Sequence, residues 1–185
     1  MYTIPEKVFL CIQTCLMAER MRLDQVQEVK AWDRVLAPLM GFSVLYLLVI
    51  VAGLDHYHSW TIPFPSWVNI AGLMVAGLGY GLTVWALVEN RFFSLMVRIQ
   101  FERGHTVCDT GPYRFLRHPG YAGNFYAMFG VVLALDSWWT LLPTLFAIII
   151  SIIRTALEDR TLLHELAGYD EYSARVRYRL IPGIW

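Results

Sequence analysis

Apolar residues run through this chain in long unbroken blocks, not in the spaced stripes of elements that cover one side of a soluble core. Val35 to Leu54 holds roughly 20 residues without a charge and would span about 30 Å as a helix, so it predicts a first transmembrane segment. Trp67 to Val88 predicts a second. Its small residues (Ala71, Gly72, Ala76, Gly77, Gly79 and Gly81) predict close helix–helix approach in lipid, where apolar burial gives no net drive. Tyr121 to Leu135 and Leu141 to Leu157 are shorter apolar blocks around the break Asp136-Ser137-Trp138-Trp139. They predict a helical hairpin whose turn reaches the far interface at the two Trp residues; a re-entrant pair that never crosses is the competing arrangement. Pro143 lies near the start of the second arm, where a proline is tolerated.

The polar stretches between these blocks differ in kind. Residues 1–34 open with an apolar run, Val8 to Ala18, too short to span, and no small-residue cleavage site of a signal peptide follows it. Charged residues from Glu19 to Arg34 then alternate with Leu23, Val26, Val29 and Trp32, which predicts an amphipathic helix on the membrane surface. The connection Asp55 to Ser66 is rich in aromatics and prolines, as at an interface, and carries His56 and His58 on a polar loop tip. Two such ligands do not make a metal site. After Glu158 the chain is polar to its last residue. Leu162, Leu163 and Leu166 suit a short helical continuation ending near Gly168. Tyr172, Val176, Tyr178 and Leu180 with Arg175, Arg177 and Arg179 predict a basic, aromatic surface segment suited to anionic headgroups.

Charge sets the orientation. Of 15 Lys and Arg residues, five lie in 1–34, five in 91–118 and five in 154–185, and none in 55–66 or 136–138. The positive-inside rule then predicts a multi-pass protein with four spans and with both termini and the central loop in the cytoplasm. A composition 57% hydrophobic and 16% charged excludes an ordinary soluble domain, and zero net charge excludes a globally basic nucleic-acid binder. The three Cys, at 11, 15 and 108, form no Cys-x-x-Cys pair, so neither a disulfide framework nor a structural metal is expected. Cys11 and Cys15 share a helical face and read as small packing residues.

Chemistry-bearing residues concentrate in two segments predicted on one side of the membrane. The central loop supplies Gln100, His105, Tyr113, Arg117, His118 and Tyr121; the last span and its exit supply Arg154, Glu158, Asp159 and Arg160. Arg154 and Glu158 are four apart at the lipid boundary. Either they form a structural ion pair, or they serve a site, as ionisable residues beside apolar spans commonly do.

The run Gly111-Pro-Tyr-Arg-Phe-Leu-Arg-His-Pro-Gly-Tyr-Ala-Gly123, followed by the acidic pair Glu158-Asp159 and then Leu166, Gly168-Tyr169, Tyr172 and a proline-containing tail, resembles the isoprenylcysteine carboxyl methyltransferase family. The related phospholipid methyltransferases share this pattern, and the resemblance covers roughly residues 67–185. It implies a membrane-embedded methyltransferase; with the apolar blocks above, the expected fold is an all-α integral membrane protein with four transmembrane helices and an N-terminal interfacial helix. Residues 35–185 would then form one membrane methyltransferase domain, with a cytosolic cofactor pocket between the 91–120 loop and the C-terminal segment. It also implies dependence on S-adenosylmethionine. By position, His105, Thr106, Val107, Cys108, Tyr113, His118, Pro119, Gly120, Tyr121 and Glu158 fall on cofactor-binding positions. Gln100 matches a cofactor-contacting glutamine, and Arg154 matches an arginine facing the methyl acceptor. The acidic pair is Glu-Asp rather than Glu-Glu, which leaves Asp159 without an assigned role.

These side chains suit the implied ligand. Glu158 can meet an ammonium or ribose hydroxyls, His and backbone N–H groups a carboxylate, and Tyr113 and Tyr121 an adenine or a sulfonium. Interfacial packing is the other role open to the two Tyr. Arg154, together with Arg117, would orient an anionic acceptor, with no covalent enzyme intermediate and no metal. The acceptor is expected to be a lipophilic small molecule or lipid reaching the site from the bilayer. Two other expectations stand beside this: methylation of a phospholipid amine, or a non-catalytic scaffold or transporter on the same fold. The near absence of polar residues inside the spans argues against a transporter.

Overall fold

The computed structural model describes residues 29–185. The expected surface helix of residues 1–34 therefore lies almost wholly outside the described residues, as do Cys11 and Cys15. Helix α1 runs from Asp33 to His58 and includes a π-helical stretch, Ser43–Leu47. Helices α2 (Ser66–Glu89), α3 (Pro119–Ala134), α4 (Leu141–Glu165) and α5 (Tyr169–Arg175) follow, with no strand among the described residues. Three helical stretches, Asp33–His58, Ser66–Glu89 and Trp138–Glu165, are long and apolar enough to cross a membrane. Helix α3, at 16 residues, reaches only about 24 Å.

The helices outrun their apolar blocks where side chains satisfy the ends. His56 and His58, expected on a loop tip, instead form the last turn of α1. Asp55 accounts for this. Its buried carboxylate accepts the Thr61 backbone N–H at 2.8 Å and the Thr61 hydroxyl at 2.6 Å, so the chain turns only past Ser59. The Asp136 carboxylate accepts the Phe64 N–H at 2.5 Å, and the Trp60–Trp139 and Phe64–Trp138 ring pairs complete the lock between the two connections. Helix α4 continues past Leu157 to Glu165 because Leu162 and Leu166 pack into a cluster with Ala86, Ile99, Tyr113, Tyr169, Tyr172 and Val176. That cluster also corrects the expected surface segment at the C-terminal end. Tyr172, Val176 and Leu180 are buried, whereas Arg175, Arg177 and Tyr178 between them face out.

Helices α2 and α3 form the tightest contact. A Cβ on Gly79 would lie 2.5 Å from the Ala127 backbone nitrogen and 2.6 Å from the Gly123 carbonyl, and one on Gly72 would lie 2.8 Å from the Gly130 carbonyl. Glycines on both helices thus let the two backbones touch, which is how small residues associate helices in lipid. Met40 and Val44 of α1 join Phe125, Met128, Ala147 and Ile148 in a second cluster that ties α1, α3 and α4 together. Gly77 faces outward with open space where its Cβ would be. The same substitution on the two faces should therefore separate. Gly79→Ala is expected to cost about 1–3 kcal/mol through overpacking, whereas Gly77→Ala should leave the detergent melting temperature unchanged or slightly raised.

Candidate active site

The central loop is shaped by two turns that require glycine. Gly111 has φ +53°, and a Cβ there would lie 2.7 Å from the Glu89 carboxyl carbon; on Gly120 it would lie 2.6 Å from the Phe93 ring. Between them Gly111–Arg114 forms a 3-10 turn, and Pro119 opens α3 at a position where its missing N–H would have no helical partner. The Tyr113 hydroxyl lies 3.4 Å from the Ala86 carbonyl, to which it donates. The Tyr172 hydroxyl donates to the Tyr113 carbonyl at 2.8 Å. Burial pushes both phenols upward in pKa, so they stay protonated donors that pin the turn between α2 and α5.

Asp159 ties this turn to the last span. Its side chain has no solvent exposure. Oδ1 accepts from Arg117 at 2.9 Å and from the Tyr169 hydroxyl at 2.8 Å, and lies 3.2 Å from His118 Nε2; Oδ2 accepts from Arg117 at 2.9 Å and from Arg179 at 2.8 Å. Backbone bonds run alongside, from the Arg117 N–H to the Tyr178 carbonyl and from the His118 N–H to the Arg179 carbonyl. Four donors on three segments thus converge on one carboxylate, the residue left without a role by sequence.

Beside this knot lies a half-open cavity of about 1050 Å³, mouth included. Its wall gathers both chemistry-bearing segments: His105, Thr106, Val107, Cys108, Tyr113, Arg117, His118, Gly120 and Tyr121 from the loop and α3, and Arg154 and Glu158 from α4. The Gln100 backbone N–H donates to His105 Nδ1 at 3.3 Å, which leaves the imidazole proton on Nε2. Burial, with Arg103 adding to it, pushes His105 down to about 4, so the ring is a neutral donor near pH 7. Burial also raises the Cys108 thiol, which remains protonated.

Of the two roles open to Arg154 and Glu158, the i,i+4 ion pair does not form. Arg154 Nε donates to Asp33 Oδ1 at 2.6 Å, and among the described residues Glu158 makes no ion pair. Glu158 lines the cavity with its carboxylate uncommitted to a cation.

Two expected cofactor positions, Gln100 and Pro119, stand outside the cavity wall. The Gln100 amide is buried and braces the loop instead, donating to the Phe92 carbonyl at 2.8 Å and accepting from Arg103 at 2.5 Å. Pro119 serves the start of α3. Arg117 lines the cavity, but Asp159 and the Arg177 carbonyl hold its Nη atoms, so it clamps the tail instead of facing an acceptor. Asn90, Phe92, Phe93 and the stretch Ser94–Val97, none singled out from sequence, complete the wall. Their only sequence signal was a position directly after the second apolar block.

Two expectations follow from this geometry. Asp159→Ala should cost about 3–5 kcal/mol, because four cationic or polar donors lose their buried partner, with a corresponding fall in melting temperature. His105 takes up its proton near pH 4 when folded and near its usual 6.5 when unfolded, so the unfolded chain holds more protons between these values. Stability should therefore fall as pH drops from 6.5 towards 4, and His105→Gln should flatten this part of a melting-temperature profile.

A family profile described as phospholipid methyltransferase matches residues 67–166. Over 84 residues the chain is 31% identical to protein-S-isoprenylcysteine O-methyltransferase A of Arabidopsis thaliana, covering 42% of this chain and 43% of that protein. The solved structure of a eukaryotic intramembrane Ras methyltransferase, isoprenylcysteine carboxyl methyltransferase, matches with a TM-score of 0.63 at 25% identity, over 80% of this chain and 53% of the other. The chain thus spans about half the length of either relative. Helices α2 and α3, the central loop and α4 all fall within the profile, and on that match the chain belongs to the phospholipid methyltransferase family, with isoprenylcysteine carboxyl methyltransferases among its relatives.

Proposed function

We propose that this protein is a membrane-embedded S-adenosylmethionine-dependent methyltransferase acting on a lipophilic acceptor. One observation carries it. A single cavity collects, from segments some 35 residues apart in sequence, a carboxylate that makes no ion pair among the described residues, a neutral imidazole, an arginine and several aromatic rings. The proposed topology has four spans, α3 and α4 forming a hairpin with both termini and the cavity on the cytoplasmic side. This topology is supported by the distribution of basic residues in the sequence, none of which falls in the two connections 55–66 and 136–138.

The residues present suit the cofactor's charges. Glu158 would hold its ammonium or ribose hydroxyls. His105 Nε2–H, beside the Thr106–Cys108 backbone, would hold its carboxylate, and Phe93, Tyr113, Leu162 and Leu166 offer apolar surface for adenine. When bound, S-adenosylmethionine supplies a methyl group already activated by its sulfonium. The protein's own part is positioning and exclusion of water. Arg154 would orient the acceptor through Nη1, while Arg117, His118 and Tyr169 hold the Asp159 knot closed beneath it.

Calorimetric titration of the detergent-solubilised protein with S-adenosylmethionine tests this directly. Wild type should bind; Glu158→Gln should weaken binding at least about tenfold, the loss expected for a charge-assisted contact. Arg154→Lys should keep the affinity and lose most turnover of radiolabelled methyl into lipid-soluble product. Absence of binding by wild type would leave a scaffold on the same fold, and label in a phospholipid amine would assign the N-methyltransferase activity.

A further inference from the structure

Arg154 reaches the cavity with most of its donors already engaged. Nε donates to Asp33 Oδ1 at 2.6 Å, and Nη2 donates to Asp33 Oδ2 at 3.1 Å and to the Leu95 carbonyl at 3.0 Å. Among the described residues, Nη1 makes only a 3.8 Å contact to Met40 Sδ. Asp33 Oδ2 also accepts the Val97 backbone N–H at 2.6 Å. Both side chains are buried, Asp33 completely. Asp33 is the first residue of α1, outside the stretch the family profile covers, and belongs to none of the motifs above.

We propose that Asp33 is the positioning residue for Arg154, setting the one guanidinium edge that an acceptor meets. This rests on the methyltransferase function proposed above. A guanidinium carries its five N–H groups in a rigid plane, so holding Nε and Nη2 on one carboxylate fixes the direction of Nη1. The third contact, to Val97, places the Leu95–Val97 wall of the cavity relative to the same carboxylate. Because the pair is net neutral, the acceptor is aligned by the direction of a donor and not by an uncompensated positive charge. The first span thereby becomes part of the site's geometry.

A simpler role would be to fasten α1 to α4, and Lys30 separates the two. Its Nζ bonds both Glu165 carboxylate oxygens, at 2.6 and 2.7 Å, and its backbone N–H bonds the Val97 carbonyl. It therefore fastens the same segment to the same helix without touching Arg154.

The test uses the full chain in nanodiscs with radiolabelled S-adenosylmethionine and two acceptor probes, N-acetyl-S-farnesylcysteine and dioleoylphosphatidylethanolamine. It measures kcat, acceptor KM and cofactor Kd for Asp33→Asn, Asp33→Ala, Lys30→Met, Arg154→Lys and the Asp33→Asn/Arg154→Lys double variant. Asp33→Asn, nearly isosteric, carries the test if Asp33→Ala does not fold. It should lower kcat about 10- to 100-fold, as a small misplacement does, with cofactor Kd within about threefold of wild type. Lys30→Met should keep kcat, and the double variant should fall no more than about twofold below Arg154→Lys, because Asp33 acts through Arg154. Wild-type kcat in Asp33→Asn, an equal loss in Lys30→Met, or losses that multiply in the double variant would overturn the role. A wild type that binds cofactor but methylates neither probe would also overturn it. A wild type that binds no cofactor would remove the methyltransferase function itself.

Discussion

A carboxylate with no exposed surface stays charged only if donors surround it, and Asp159 is where this chain meets that demand. Arg117 and His118 come from the turn before α3, Tyr169 from α5 and Arg179 from the tail, so satisfying one charge brings three segments into register. The neighbouring Glu158 is the preceding residue on α4, turned about 100° around the helix, and lines the space those segments enclose. The acidic pair thus divides its work: one carboxylate builds the wall and the other remains available inside it. Net stability is a weak reason to bury an ion cluster; the definite arrangement it imposes on these chain segments is a better one.

The second buried pair, Asp33 with Arg154, does for the first span what Asp159 does for the tail. Lipid gives packed helices no hydrophobic reward for associating, so contact must come from close backbone approach or from polar partners. The fold uses both. Helices α2 and α3 meet glycine to glycine, whereas α1 is fastened to α4 near the cavity by Asp33 and at the far end through Asp55, Thr61 and the Trp60–Trp139 rings. The polar fasteners sit at the ends of the apolar blocks, where water and headgroups lower the cost of bringing charges together.

Much of the site was legible because its residues are of unusual type for their surroundings. His105, Tyr113 and His118 lie in the polar central loop, Tyr121, Arg154 and Glu158 in or beside apolar blocks, and all of them line the cavity. What escaped notice was of ordinary type. Asp33 looked like one more charge on a surface helix, and Phe92, Phe93 and Leu95 like the ragged end of a span. Gln100 and Arg117 erred in the other direction: both are polar and well placed in the chain, yet Phe92, Arg103 and Asp159 take up their hydrogen-bonding groups. Spacing shows that a polar group is near a site; it does not show whether the group points inward or is already bonded.

By itself the sequence determined the long helices, since roughly 20 uncharged apolar residues have one stable solution in lipid. It also carried the family pattern, in which Gly111 is demanded by a left-handed turn and Pro119 suits the first position of α3. Only the tertiary structure decided which acid pairs with which base. Arg154 had a carboxylate four residues away and took one 121 residues away instead, because the partner of a buried charge is chosen by the packing that buries it.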